Sequence, residues 1–240
     1  MIDILHEHAW FLVISKPFGL LSQAVSGVDS VQSLLCQQLH ERNPTGPKPF
    51  VGIPHRLDRV TTGIMVVARN QRALRRLSDQ FASRKVKKTY FALVPKLLES
   101  KGRWSDFLRK VPEEARAEMV AQEVEGAKLA ILSFHVVSHH SLPLKDSHQE
   151  HESIDVSLVA IGLETGRMHQ IRLQFAHRGF PIIGDQLYGS CVTWQCGQLP
   201  QREAPIALHA QRLEFHHPQS GELLSFEAPL PSGWPVANHT

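Results

Sequence analysis

The chain has 240 residues, 42% of them hydrophobic and 20% charged, which excludes a disordered or fibrous protein and allows a substantial core. Its net charge of +3 excludes a polycation held to nucleic acid by bulk charge, and no apolar run approaches the roughly 18 residues of a membrane span. Three cysteines, Cys36, Cys191 and Cys196, cannot build a disulfide framework and fit a reducing compartment. Cys191 and Cys196 have no second pair at ligand spacing, so no metal site is expected. The start, Met1-Ile2-Asp3-Ile4-Leu5-His6, has an early acid and no basic segment; no signal peptide is expected, and the cytoplasm is the expected compartment.

Residues 10–15 (Trp-Phe-Leu-Val-Ile-Ser) read as a buried strand stopped by Lys16-Pro17-Phe18-Gly19. Val31, Leu34, Leu35 and Leu39 fall at helical spacing behind Asp29 or Ser30 as the cap. A Pro/Gly-rich loop over 43–49 leads into His55-Arg56-Leu57-Asp58-Arg59-Val60-Thr61-Thr62-Gly63, then an apolar strand over 64–68. A helix is expected from about Gln71 to Ser83 with Leu74, Leu77 and Phe81 as its core stripe. Residues 89–94 read as a strand, 99–127 as irregular strands and loops, and 129–137 with 154–161 as a strand pair. The connection of that pair carries His139, His140, His148 and His151, whose spacing lacks the register of a preformed metal site. A helix is expected over 165–179, with Gly179 as its C-terminal cap. Short strands over 206–210, 212–216 and 223–226 close the chain, with a turn at 218–221. Many strands and few helices indicate an α+β fold on a mixed, largely antiparallel sheet.

Two features of this order carry chemistry. Asp58 lies between the guanidiniums of Arg56 and Arg59, and nearby positive charge favours its ionised form. Such a carboxylate serves as nucleophile or base, and the arginines suit a phosphate-bearing substrate; a surface salt bridge is the plainer alternative. From Arg69 to Lys88 there are eight basic residues, including Arg75, Arg76, Lys85, Lys87 and Lys88, against the single acid Asp79. That is the footprint of a phosphate-backbone contact, or else a solvated helix face.

Taken together, the His55–Gly63 run, Lys88-Thr89-Tyr90, Gly166-Arg167-Met168-His169-Gln170-Ile171-Arg172, Pro181-Ile182-Ile183-Gly184-Asp185 with Tyr188-Gly189, and Leu208-His209-Ala210 resemble the RluA-type pseudouridine synthases. Lys16-Pro17-Phe18-Gly19-Leu20-Leu21 resembles the family's opening. Two departures are visible: Thr62 stands where the family usually has Ser, and Met168 where Thr or Ser is common. The resemblance implies one catalytic domain over 1–240, without the S4-type RNA-binding module of many relatives, in a pseudouridine synthase fold with a central RNA-binding cleft. It implies Asp58 as the catalytic aspartate, Tyr90 against the target base, and Arg172 as the partner of Asp58, with His169 one helical turn away on the same face. Arg56 would help prise the target nucleotide from its stack, with Arg59, His169 and the basic segment holding RNA. His55 and Asp185 are assigned to scaffolding.

The implied reaction breaks the uridine C1′–N1 bond, turns the uracil and rejoins it through C5, with no cofactor and no metal. Asp58 attacking C1′ and Asp58 removing the C2′ proton both fit. The expected partner is a stem-loop of ribosomal or transfer RNA, because flipping a base out costs least in a loop; no DNA or membrane partner is expected, and the chain is expected to act as a monomer. Two other classes compete: an Asp-nucleophile glycosidase, which needs a second carboxyl within about 5–9.5 Å that the motifs do not supply, and an inactive RNA-binding or RNA-folding module on the same scaffold.

Overall fold

The computed structural model describes residues 1–96, 99–143, 153–192 and 204–236. The described residues form ten strands and three α-helices, an α+β composition. The chain divides into two compact units, residues 1–88 with 209–231 and residues 89–208 with 232–240.

In the first unit, strand β1 (Asp3–Glu7) pairs antiparallel with β2 (Phe11–Lys16), and β2 with β3 (Thr62–Ala68). Every residue of β3 is buried, as expected of an apolar run enclosed on both faces. Strand β9 (Leu208–His216) joins β3 in parallel through Thr62–His209 and Gly63–Ala210, and β10 (Leu223–Glu227) pairs antiparallel with β9 across the turn at 218–221. Helix α1 (Val31–Arg42) starts at Ser30, whose side chain accepts from the Ser33 amide while Ser33 returns a bond to the Ser30 amide. Gln38 clasps both backbone groups of Ile2, at 2.7 and 3.0 Å, fixing α1 to the start of the chain. Helix α2 (Gln71–Ala82) is capped by Asn70 and buries Ala73 and Leu77. Strand β1 has no counterpart in the sequence expectation, because its exposed and half-buried residues alternate too weakly to stand out.

In the second unit, β4 (Lys87–Pro95) pairs with β8 (Ser153–Leu163), β8 with β7 (Lys128–Pro143), β7 with β5 (Lys101–Lys110), and β5 with β6 (Ala117–Val120), all antiparallel. Helix α3 (Gln170–His177) packs beside them, with the Phe175 ring 4.6 Å from Trp104 and 5.7 Å from Phe134. The regular ten-residue β5 replaces the expected irregular stretch. Its inward side alternates Trp104, Asp106 and the buried Leu108, and Asp106, bonded to Gln174 and Arg178 on or beside α3, interrupts the apolar stripe with a polar pairing. His139 and His140 lie within β7 rather than in a connection, each bonded to a serine hydroxyl. His148 and His151 fall outside the described residues.

Candidate active site

Asp58 sits in a short loop at the entrance to β3, and the opening segment of the chain holds that loop from beneath. The hydroxyl of Ser22 donates to the Leu57 carbonyl (2.9 Å) and accepts from the Leu57 amide (3.0 Å). The Gly19 amide donates to the Arg59 carbonyl, and Arg59 Nε donates back to the Gly19 carbonyl, both at 2.8 Å. Gly19 turns at φ +83°, a conformation that favours glycine. Lys16, 1% exposed, points its ammonium under the loop and donates to the carbonyls of Pro17, Arg59 and Thr61 at 2.9, 3.1 and 2.9 Å. Burial lowers the Lys16 pKa to about 7, against the opposing pull of the Asp58 carboxylate. The Thr61 amide donates to the Asp58 carbonyl. Backbone on both sides of Asp58 is thereby fixed. In the sequence, residues 16–19 read as a strand stop and 16–21 as the family's opening, with no role for Ser22; the cradle needed the folded chain.

The far end of the motif is locked by β9. Thr62 Oγ1 donates to His209 Nδ1 at 2.8 Å, while His209 Nε2 faces the Ala228 carbonyl at 3.3 Å. This arrangement calls for the neutral imidazole with its proton on Nε2, and burial holds His209 down to about 4. Thr62, the departure from the usual serine, keeps the hydroxyl this bond needs. Gly63 has φ +114°, and a Cβ there would meet the Ala210 carbonyl oxygen at 2.3 Å; the close parallel contact admits only glycine. His55 stacks on Phe81 with ring centroids 4.3 Å apart and accepts the Val66 amide on Nε2 at 3.1 Å. Burial, helped by the Lys88 charge, pushes its pKa down to about 3. Arg56 is exposed beside this frame.

In the second unit Tyr90 is buried at 9% exposure on β4, opposite Ile161 of β8. Arg172, 4% exposed on α3, makes a two-pronged pair with Asp185: Nε to Oδ2 at 2.7 Å and Nη2 to Oδ1 at 2.8 Å. The Arg172 guanidinium also lies over the Tyr188 ring, 5.1 Å from its centroid. The Tyr188 hydroxyl accepts from the Ala117 amide (2.9 Å) and contacts His169 Nδ1 (2.9 Å).

Several expected roles change here. Helix α3 begins at Gln170, not near 165, because Gln170 Oε1 accepts from the Thr165 hydroxyl and the Arg167 amide and ties 165–167 into a turn. His169 therefore lies before the helix, left-handed at φ 52°, and does not share a helical face with Arg172. The helix end is as expected: Gly179 at φ +82° bonds to Ala176 and Phe180 to Phe175, a Schellman closure. In the basic segment, Arg72, Arg75, Arg84 and Lys85 are exposed. Arg76 is exposed as well, and it also donates to the Pro218 carbonyl at 2.6 Å and lies over Trp10. Lys87 pairs with Glu214 at 3.6 Å but stays mostly exposed. Lys88 is half-buried, with burial lowering its pKa.

The family model for RNA pseudouridylate synthase matches residues 10–177; the chain belongs to that family. It is 34% identical over 237 residues to the Ribosomal large subunit pseudouridine synthase D of Xanthomonas campestris, covering 96% of this chain and 66% of that protein. To the protein of the same name from Pseudomonas aeruginosa it is 33% identical, covering 96% of this chain and 68% of the other. The chain thus spans about two thirds of the length of these relatives. Human RNA Pseudouridylate Synthase Domain Containing 1 superposes with a TM-score of 0.70 at 26% identity, covering 95% of this chain and 83% of that one. No helix among the described residues is long and apolar enough to cross a membrane.

Proposed function

We propose that the protein is an RNA pseudouridine synthase that isomerises uridines in structured RNA, with Asp58 as the catalytic aspartate. The observation that carries this reading is the Asp58 loop, whose backbone is fixed on both sides by Lys16, Gly19 and Ser22 in a chain that belongs to the family. Holding a reacting carboxylate in one geometry is worth several orders of magnitude in rate. Asp58, Tyr90 and Arg172 serve one reaction: Asp58 engages the ribose of the target nucleotide, the bond between C1′ and uracil N1 breaks, the uracil turns and bonds to C1′ through C5, and the C5 proton is then lost while N1 takes one up, with the Tyr90 phenol taking part in the C5 deprotonation. In this reading Arg172, paired in the structure with Asp185, orients the catalytic aspartate during the reaction. Residues 1–240 act as a single catalytic domain, on a monomer, in the cytoplasm. The relatives' name favours large-subunit ribosomal RNA as substrate, with a transfer RNA stem-loop as the second choice.

The test is to treat total RNA from a strain lacking the protein with the purified enzyme, and to map pseudouridine by carbodiimide-dependent primer-extension stops. New stops with the wild type and none with Asp58→Asn, at nearly unchanged RNA affinity, are expected. Turnover by Asp58→Asn above background overturns the assignment of Asp58. Abasic sites would mean a glycosidase, and tight binding with neither product would mean an RNA-folding module.

A further inference from the structure

The turn that follows the Pro181–Asp185 motif is built around Arg172. Asp185, 1% exposed, gives both carboxylate oxygens to one edge of the guanidinium, Nε and Nη2, at 2.7 and 2.8 Å. Three residues on, a short 3-10 helix (Gln186–Tyr188) brings the Tyr188 ring to 5.1 Å from the same group. The turn is closed on itself, since the Asp185 carbonyl accepts from the amides of Tyr188 (3.1 Å) and Ser190 (3.0 Å). It is also anchored outward: the Tyr188 hydroxyl takes the Ala117 amide of β6 and meets His169. Two contacts on one guanidinium, from a carboxylate and an aromatic face, leave it a single orientation, because the paired edge and the ring plane together define its rotation. The second edge of that group, Nη1 with Nη2, is then the edge whose direction is set.

We propose that Asp185 is a positioning residue for the reaction: by occupying the Nε edge of Arg172, with Tyr188 beneath, it fixes the one orientation in which that guanidinium serves the reaction. This rests on the reading, proposed above, that Arg172 takes part in the reaction of Asp58. Asp185 touches no substrate in this scheme, and it acts through the arginine alone.

The experiment compares the steady-state kinetics of Asp185→Asn, Asp185→Glu, Arg172→Lys and the double variant Asp185→Asn/Arg172→Lys, each checked for thermal unfolding and for RNA affinity. Asp185→Asn should keep RNA affinity and KM within about twofold and lower kcat by roughly 10²-fold, the scale of a small misplacement of a catalytic group. Asp185→Glu retains the buried charge pair, so it serves if Asn prevents folding; its extra methylene should still lower kcat, by less. In the double variant the two losses should not multiply, because both pass through the same guanidinium. Wild-type kcat in either folded Asp185 variant, a loss confined to KM, or multiplying losses in the double variant would overturn the proposal. Full activity of Arg172→Lys would instead overturn the underlying reading of Arg172, because an ammonium cannot supply the planar two-donor geometry.

Discussion

Tyr90 separates two jobs that one side chain performs. Its ring is buried on β4 at 9% exposure, so removing only the hydroxyl leaves the packing of the strand nearly unchanged. Tyr90→Phe is expected to bind RNA as the wild type does and to lose most turnover, with the block falling before loss of the C5 proton. Release of tritium from C5-labelled RNA, measured beside binding, checks this; wild-type release would restrict the phenol to packing. The residue scale also shows how composition misleads. Arg75 and Arg76 are neighbours, look alike in the sequence and are both exposed, yet Arg76 also ties itself to the Pro218 carbonyl and the Trp10 ring. Lys16 read as punctuation before a proline, but it proves to be a buried ammonium with three backbone acceptors.

Helix α2 has its apolar side on Ala73 and Leu77 and presents Arg72 and Arg75 outward, with Lys85 just beyond its end. This exposed set is the part of the basic segment suited to phosphates. Replacing Arg72, Arg75 and Lys85 by glutamine should weaken all RNAs about equally and flatten the plot of log affinity against log salt, by roughly 0.7–0.9 for each lost contact. Arg76→Gln should leave that slope alone and lower thermal stability, since its guanidinium is an internal tie. Filter binding from low to moderate salt, beside thermal melts, distinguishes the two; an unchanged slope in the triple variant would make the segment a solvated face. At the same scale α3 shows why its start was misplaced. Apolar spacing alone extends the helix back to 165, but His169 stands at φ 52°, and a left-handed residue breaks the helical backbone irrespective of periodicity.

For the whole molecule, several bases among the described residues, His55, His209 and Lys16 with the largest shifts, tie stability to pH. His55 and His209 titrate near 3 and 4 in the folded chain, against an ordinary 6.5, with burial the main cause in both. Between pH 6.5 and about 4 the unfolded chain therefore binds protons that the folded chain refuses, and stability falls as pH drops. Lys16, at about 7 against an ordinary 10.5, has the same sign in a higher window. From pH 10.5 down to 7 the unfolded chain binds the extra proton, so its contribution also falls as pH falls, and the loss is complete below 7. Urea midpoints measured from pH 6.5 to 4.5 should fall steadily, and His209→Gln should show the shallower decline. A midpoint flat over that range would mean that neither imidazole is kept neutral by the fold.

What the chain determined by itself was local: strands over 64–68 and 89–94, a helix from about 71 to 83, a cap at Asp29 or Ser30 and another at Gly179, the turn at 218–221, and the ordered motifs that mark the family. These rest on side-chain periodicity, on the few residues that tolerate a positive φ, and on short polar side chains that reach their own backbone, all readable within about ten positions. The tertiary structure alone decided which partners meet across long separations. Lys16 beneath Thr61, Thr62 on His209 and Ser22 around Leu57 are joined over 45, 147 and 35 residues, and no local rule selects one acceptor among so many. The fork between Arg172 and Asp185 spans only 13 residues, yet it too escaped the sequence, because a buried cation takes whichever carboxylate the turn delivers to it, and the turn is shaped by packing.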